Sequence, residues 1–184
     1  MRVLGIDPGT AITGYALVGE DPGGEPQLLC CGTVQTQASA PMPQRLLIIY
    51  QAITELIQES SPDAVAVEEL FFKRNVTTAL TVGQARGVVL LAAAQARLPV
   101  HEYKPADVKM ALVGYGGADK RQMQEMVRLT LRLDEIPRPD DAADAAAVAI
   151  CHLRHARLQQ LLSAETATHP SPANSTTIKA DGLS

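Results

Sequence analysis

Three apolar runs of this chain carry acids at one end: Val3 to Ile6 runs into Asp7, Ala64 to Val67 runs into Glu68, and Asp141 and Asp144 open an alanine-rich segment. Convergent carboxylates repel one another unless a cation neutralises them, and oxygen donors without His or Cys suit Mg²⁺ or Mn²⁺. Each acid also has a plainer reading. Asp7 could open an Asp-Pro-Gly turn, Glu68 could be a solvated charge at a strand end, and Asp140 or Asp141 could cap a helix and complement its dipole. Asp144 resists this reading, because it lies past the cap on the same helix face as Val148, where an acid needs a partner.

The elements that must position these acids alternate between strand and helix signals. "RVLGID" and "TGYALVG" read as a hairpin pair around "DPGT", and "LLCCGTVQT" reads as a third strand, so the sheet starts antiparallel. From Pro43 to Ser60 the apolar residues keep a helical period until "SPD" breaks it. "AVAVEEL" has the continuous apolar character of a strand buried on both faces and should lie parallel to the first. A small-residue helix follows over roughly Thr77 to Arg97, then "PVHEY" as a fifth strand and two or three helices within Ala106 to Gln160. The expectation is an α/β domain with a mixed five-stranded sheet and helices on both faces. In such a sheet, functional groups collect at the C-terminal ends of adjacent parallel strands, which is where Asp7 and Glu68 stand if the first and fourth strands are neighbours.

Length and composition set the outer bounds. At 184 residues, 46% of them hydrophobic and 20% charged, the chain is expected to form one domain over residues 1–160, followed by a disordered Ser/Thr/Pro/Ala-rich tail over 161–184. Cys30, Cys31 and Cys151 have neither disulfide-framework nor zinc spacing. No signal-peptide pattern and no membrane-spanning apolar run is present, so a cytoplasmic, soluble protein is expected. The net charge of -4 hides a segregation: residues 1–72 carry 2 basic and 9 acidic side chains, residues 73–138 carry 11 and 6, and residues 139–184 carry 3 and 5. A basic middle between acidic flanks is what a polyanion-binding surface beside a carboxylate cluster would need.

Five blocks carry a family resemblance: "GIDPGTAITGYAL", "AVEELFFKRN", "GQARGVVLLAA", "PVHEYKPADVK" and "DDAADAAAVAICH". Their order and spacing resemble the RuvC family of Holliday junction resolvases over residues 1 to about 158, which implies a ribonuclease-H-like fold. In that family four acids hold two Mg²⁺ or Mn²⁺ ions, and the matching positions are Asp7, Glu68, Asp141 and Asp144. Glu69 and Asp140 stand beside two of these, so the register rests on the Glu-x-x-Phe and Asp-Ala-Ala-Asp spacings. Two such ions acidify a water and stabilise the departing oxygen of a phosphodiester. The resemblance further implies paired, symmetric nicks in four-way junction DNA by a homodimer, alongside a branch-migration helicase and its junction-binding subunit (RuvB and RuvA).

The only two phenylalanines, Phe71 and Phe72, precede Lys73 and Arg74 at a strand exit. An aromatic beside two cations suits an unstacked base and its phosphates, whereas Phe is more often core, and the family register favours Phe71 as the stacking residue. Lys109 and Lys120 match family lysines near the scissile phosphate, and Arg86, Lys104 and Arg121 are further candidate phosphate contacts. Gly83 and Gly87 would weaken an exposed helix by about 1 kcal/mol each relative to alanine, so another backbone is expected to pack there, either a second copy or the chain's own sheet. The alternatives are a ribonuclease-H-like nuclease acting on RNA and a non-catalytic branched-DNA binding module. "GIDPGT" also resembles the first phosphate loop of sugar kinases and actin-like ATPases, but the chain is too short for their second lobe.

Overall fold

The computed structural model of this chain describes residues 1–69 and 76–168. Within these, five strands, β1 (Arg2–Asp7), β2 (Ile12–Glu20), β3 (Pro26–Gln35), β4 (Ala64–Glu68) and β5 (Val100–Tyr103), form one sheet in the order β3-β2-β1-β4-β5. β1 pairs antiparallel with β2 and parallel with β4, and β4 pairs parallel with β5. This is the mixed, ribonuclease-H-like sheet expected from the sequence. The helices are α1 (Met42–Ser60), α2 (Val76–Gln95), α3 (Pro105–Val113), α4 (Lys120–Thr130) and α5 (Asp140–Thr168).

The alternation of side chains along the strands divides the core into two layers. Leu4, Ile6, Leu17, Val65 and Val67 point toward α1 and α2, where Ile49, Ile53, Ala85 and Val89 cover them. Val3, Ala16, Val18 and Ala66 point the other way, against Val108 of α3, Val127 of α4 and the alanines of α5. Gly5 and Gly14 belong to this second face. A Cβ on Gly5 would stand 2.2 Å from the Ala145 carbonyl oxygen, and one on Gly14 would stand 2.0 Å from that of Asp141. The two glycines therefore form a floor on which α5 lies backbone against strand.

α5 runs on to Thr168, past residue 160, where the sequence-based boundary of the folded domain lies, and residues 169–184 are outside the described residues. Among the described residues no helix is long and apolar enough to cross a membrane.

Candidate active site

The parallel register of β1 and β4 pairs Ile6 with Val67, which brings Asp7 and Glu68, the next residues, to the same end of the two central strands. Two residues on from Gly5 and from Ala66, both acids point to the α5 face. The turn after Asp7 is fastened from below: the buried Thr13 hydroxyl donates to the Gly9 carbonyl at 2.6 Å, and the Thr36 hydroxyl donates to the Thr10 carbonyl at 2.5 Å. α5 then brings Asp141 and Asp144 in from the opposite side, because its first turns rest on Gly14 and Gly5. Three of the four acids, Asp7, Glu68 and Asp144, are raised by burial and by the charge of at least one other acid nearby. Burial, then the charges of Glu68, Asp144 and Asp141, raise Asp7 to about 7 against a small opposing effect of Lys120. Glu68 is raised by burial and by Asp144, and Asp144 by burial, with Lys120 pulling it back down.

Two lysines stand over the acids. Lys109 of α3 lowers Glu68, opposing its burial. Lys120 is the first residue of α4, a position fixed by a capping box in which Gln122 N–H donates to Asp119 Oδ1 at 2.8 Å and Asp119 N–H donates to Gln122 Oε1 at 3.0 Å. Its Nζ lies 3.1 Å from Asp140 Oδ2 and 3.5 Å from Asp144 Oδ2. Glu68, Asp144, Lys109 and Lys120 line one open cleft of about 200 Å³ with Pro105, Val108, Met123 and Ala147. Among the described residues no three carboxylates close around a single point, and Glu68 and Asp144 face Lys109 and Lys120 across the cleft.

The remaining candidates are distributed differently. Lys104 ends the β5–α3 connection beside Pro105, at the rim of this cleft. Arg121 faces a separate hollow with Tyr115, Gln122 and Glu125. Arg86 sits on the far layer, where its guanidinium ion-pairs with Glu102 of β5. Phe71, Phe72, Lys73 and Arg74 lie outside the described residues. Sequence reasoning missed Gly5 and Gly14, although glycine inside an apolar strand signals close approach by another backbone. It also read Asp140 only as a possible cap or rival ligand, whereas the structure pairs it with Lys120.

A family model described as crossover junction endodeoxyribonuclease RuvC matches residues 3–152. The curated crossover junction endodeoxyribonuclease RuvC of Chloroflexus aggregans is 63% identical over 152 residues, which cover 83% of this chain and 92% of the relative. The solved RuvC of Thermus thermophilus superposes with a TM-score of 0.81 at 42% identity, covering 86% of this chain and 97% of that one. The same protein in complex with a Holliday junction substrate gives 0.79 at 39% identity, covering 86% and 96%. Motif blocks, strand order and these likenesses agree along the same residues, and the chain belongs to the RuvC family of crossover junction endodeoxyribonucleases.

Proposed function

We propose that this chain resolves four-way DNA junctions by hydrolysing phosphodiesters at the β1–β4 end, with Asp7, Glu68, Asp141 and Asp144 as the catalytic acids. The observation that carries the reading is the convergence of acids from β1, β4 and α5 beneath Lys109 and Lys120. Half-buried carboxylates, with Asp7, Glu68 and Asp144 raised by burial first and then by neighbouring acids, and with only oxygen donors among them, fit hard divalent cations. When bound, Mg²⁺ or Mn²⁺, two ions per site, would supply an acidified water and charge neutralisation at the departing oxygen. The chain's own residues supply the rest. The four acids hold the ions at a fixed place on the sheet, and the lysines draw the phosphodiester down onto them. The direct test is cleavage of a four-way junction with a fixed-sequence core. Nicking is expected only with a divalent ion, and linear duplex and RNA–DNA hybrid are expected to stay intact. Equal cleavage of the hybrid would turn the reading toward an RNA-directed enzyme.

A second copy of the chain is the proposed cover for the outer face of α2. Among the described residues nothing lies within 4 Å of where a Cβ would stand on Gly83 or Gly87, so the described sheet does not press on those glycines. Leu80 and Leu91 flank them on the same helical stripe, 66% and 53% exposed. An isologous dimer presents two identical sites to a nearly two-fold junction, which suits paired nicks. Gly87→Arg is expected to convert a dimer into monomers in sedimentation, with loss of paired cuts and an unchanged melting temperature. A dimer that persists in Gly87→Arg places the interface elsewhere. The partnership with the RuvB helicase and RuvA belongs to the same reading.

Phe71 is proposed to stack on a base unpaired at the junction centre, with Phe72, Lys73 and Arg74 as further DNA contacts. Stacking contributes about 1 to 3 kcal/mol per base, and phosphate contacts supply most of the affinity. Phe71→Ala is therefore expected to keep its melting temperature and its low-salt binding, to lose cleavage, and to regain part of it on a junction already unpaired near the cut. A large fall in melting temperature with Phe71→Ala and a silent Phe72→Ala would reverse the two assignments.

A further inference from the structure

Lys120 carries its ammonium on a flexible side chain that is 57% exposed, so its place over the cleft depends on its two carboxylate partners. The nearer is Asp140 at 3.1 Å, the first residue of α5, and the other is Asp144 at 3.5 Å. These partners differ in their surroundings. Asp144 lines the cleft with Glu68, whereas Asp140 is not among the residues that line it. Asp140 takes the shorter of the two contacts with the Lys120 ammonium, 3.1 Å against 3.5 Å for Asp144. If Asp144 is engaged by a divalent ion, as the proposed site requires, Lys120 must give up that contact.

We propose that Asp140 is a positioning residue that keeps the Lys120 ammonium beside the cleft and off Asp144, so that Asp144 is free to hold a cation while Lys120 faces the phosphate. This rests on the assignment of Asp144 as an ion-holding acid. It gives the second acid of "DDAAD" a task distinct from that of Asp141. Without Asp140, the nearest carboxylate to Lys120 is Asp144, and the ammonium competes with the ion for it.

The test is calorimetric titration of Mn²⁺ into the full chain without DNA, beside the Mg²⁺ concentration for half-maximal junction cleavage. Asp140→Asn keeps a polar residue at the start of α5 and removes only the charge, and its melting temperature is read alongside. Asp140→Asn is expected to weaken Mn²⁺ binding by about two- to fivefold, the scale of one exposed ion pair, and to raise the Mg²⁺ midpoint by the same factor. Asp140→Glu is expected to restore both. In a Lys120→Met background, Asp140→Asn is expected to change neither, because no ammonium remains to compete. A further weakening in that background means that Asp140 acts on the ion directly, and unaltered Mn²⁺ binding in the single variant means that it does not hold the lysine; either result overturns the proposal. These outcomes are separate from the fate of the site itself, which fails if Asp7→Asn still cleaves in saturating Mg²⁺.

Discussion

Asp7→Asn is expected to abolish junction cleavage while leaving junction binding intact or improved. Partners one shell removed from a metal cost about 10- to 100-fold when lost, so an acid at the ion itself should cost more than about 100-fold. Binding is expected to persist because Lys109, Lys120 and the other phosphate contacts are untouched, and one negative charge fewer repels the DNA less. The same substitution has an opposite effect on stability. Asp7 is raised to about 7, chiefly by burial and then by the charges of Glu68, Asp144 and Asp141. A carboxyl that is protonated in the folded chain but ionised in the unfolded one makes the folded state bind more protons between about pH 4 and pH 7. Stability therefore falls as pH rises through that window, and the full penalty applies above pH 7. Asparagine carries no such charge. In chelator at pH 8, Asp7→Asn should be more stable than the parent by on the order of a few kcal/mol, and the gap should close near pH 4. Added Mg²⁺ should stabilise the parent and not the variant, by linkage to binding in the folded state. A variant that cleaves normally in saturating Mg²⁺, or one that melts below the parent at pH 8 in chelator, would remove Asp7 from the site.

Much of this arrangement was legible in the sequence because it follows from period and end. Strand parity alone puts Asp7 on one face with Gly5, and a continuous apolar run such as "AVAVE" belongs in a sheet interior, next to the first strand. The i, i+3 spacing of Asp141 and Asp144 puts both on one side of a helix whose alanines permit close approach. What was not legible depends on distances between segments far apart in the chain. The pairing of Lys120 with Asp140 arises from where the α4 capping box sets the first turn of that helix relative to the start of α5, which no local pattern encodes. Arg86 lies within a basic segment, yet its helix packs on the layer opposite the acids and its charge is spent on Glu102. Gly83 and Gly87 have two readings at the level of sequence, and among the described residues neither glycine has another backbone within 4 Å of its Cβ position, which no local pattern could tell.

Gly14→Ala is expected to damage the site from a position that carries no functional group. Gly14 pairs with Asp7 across β1 and β2 and faces the first turn of α5, where an added Cβ would stand 2.0 Å from the Asp141 carbonyl oxygen and 2.5 Å from its carbonyl carbon. Ordinary contact lies above 3.4 Å, so more than 1 Å must be found somewhere. The strand is poorly able to supply it, since β2 is held by ladders to β1 on one side and to β3 on the other. The start of α5, held by exposed ion pairs to Lys120 and not by a strand ladder, moves instead, carrying Asp141 and Asp144 away from Asp7 and Glu68. Forcing a methyl group into packed structure costs about 1 to 3 kcal/mol, which lowers the melting temperature without unfolding the chain. Misplacing catalytic groups by about 1 Å can cost about 100-fold in rate. Single-turnover cleavage well below the melting temperature should therefore fall by about that factor, with junction binding retained. Gly19→Ala is the matched control on the same strand, because its Cβ would meet the flexible end of Leu29 at 3.1 Å and no backbone, and it should melt and cleave like the parent. Full activity in Gly14→Ala would mean that α5 does not set the positions of the two aspartates through this contact, and the close packing of helix on strand would then be a matter of stability alone.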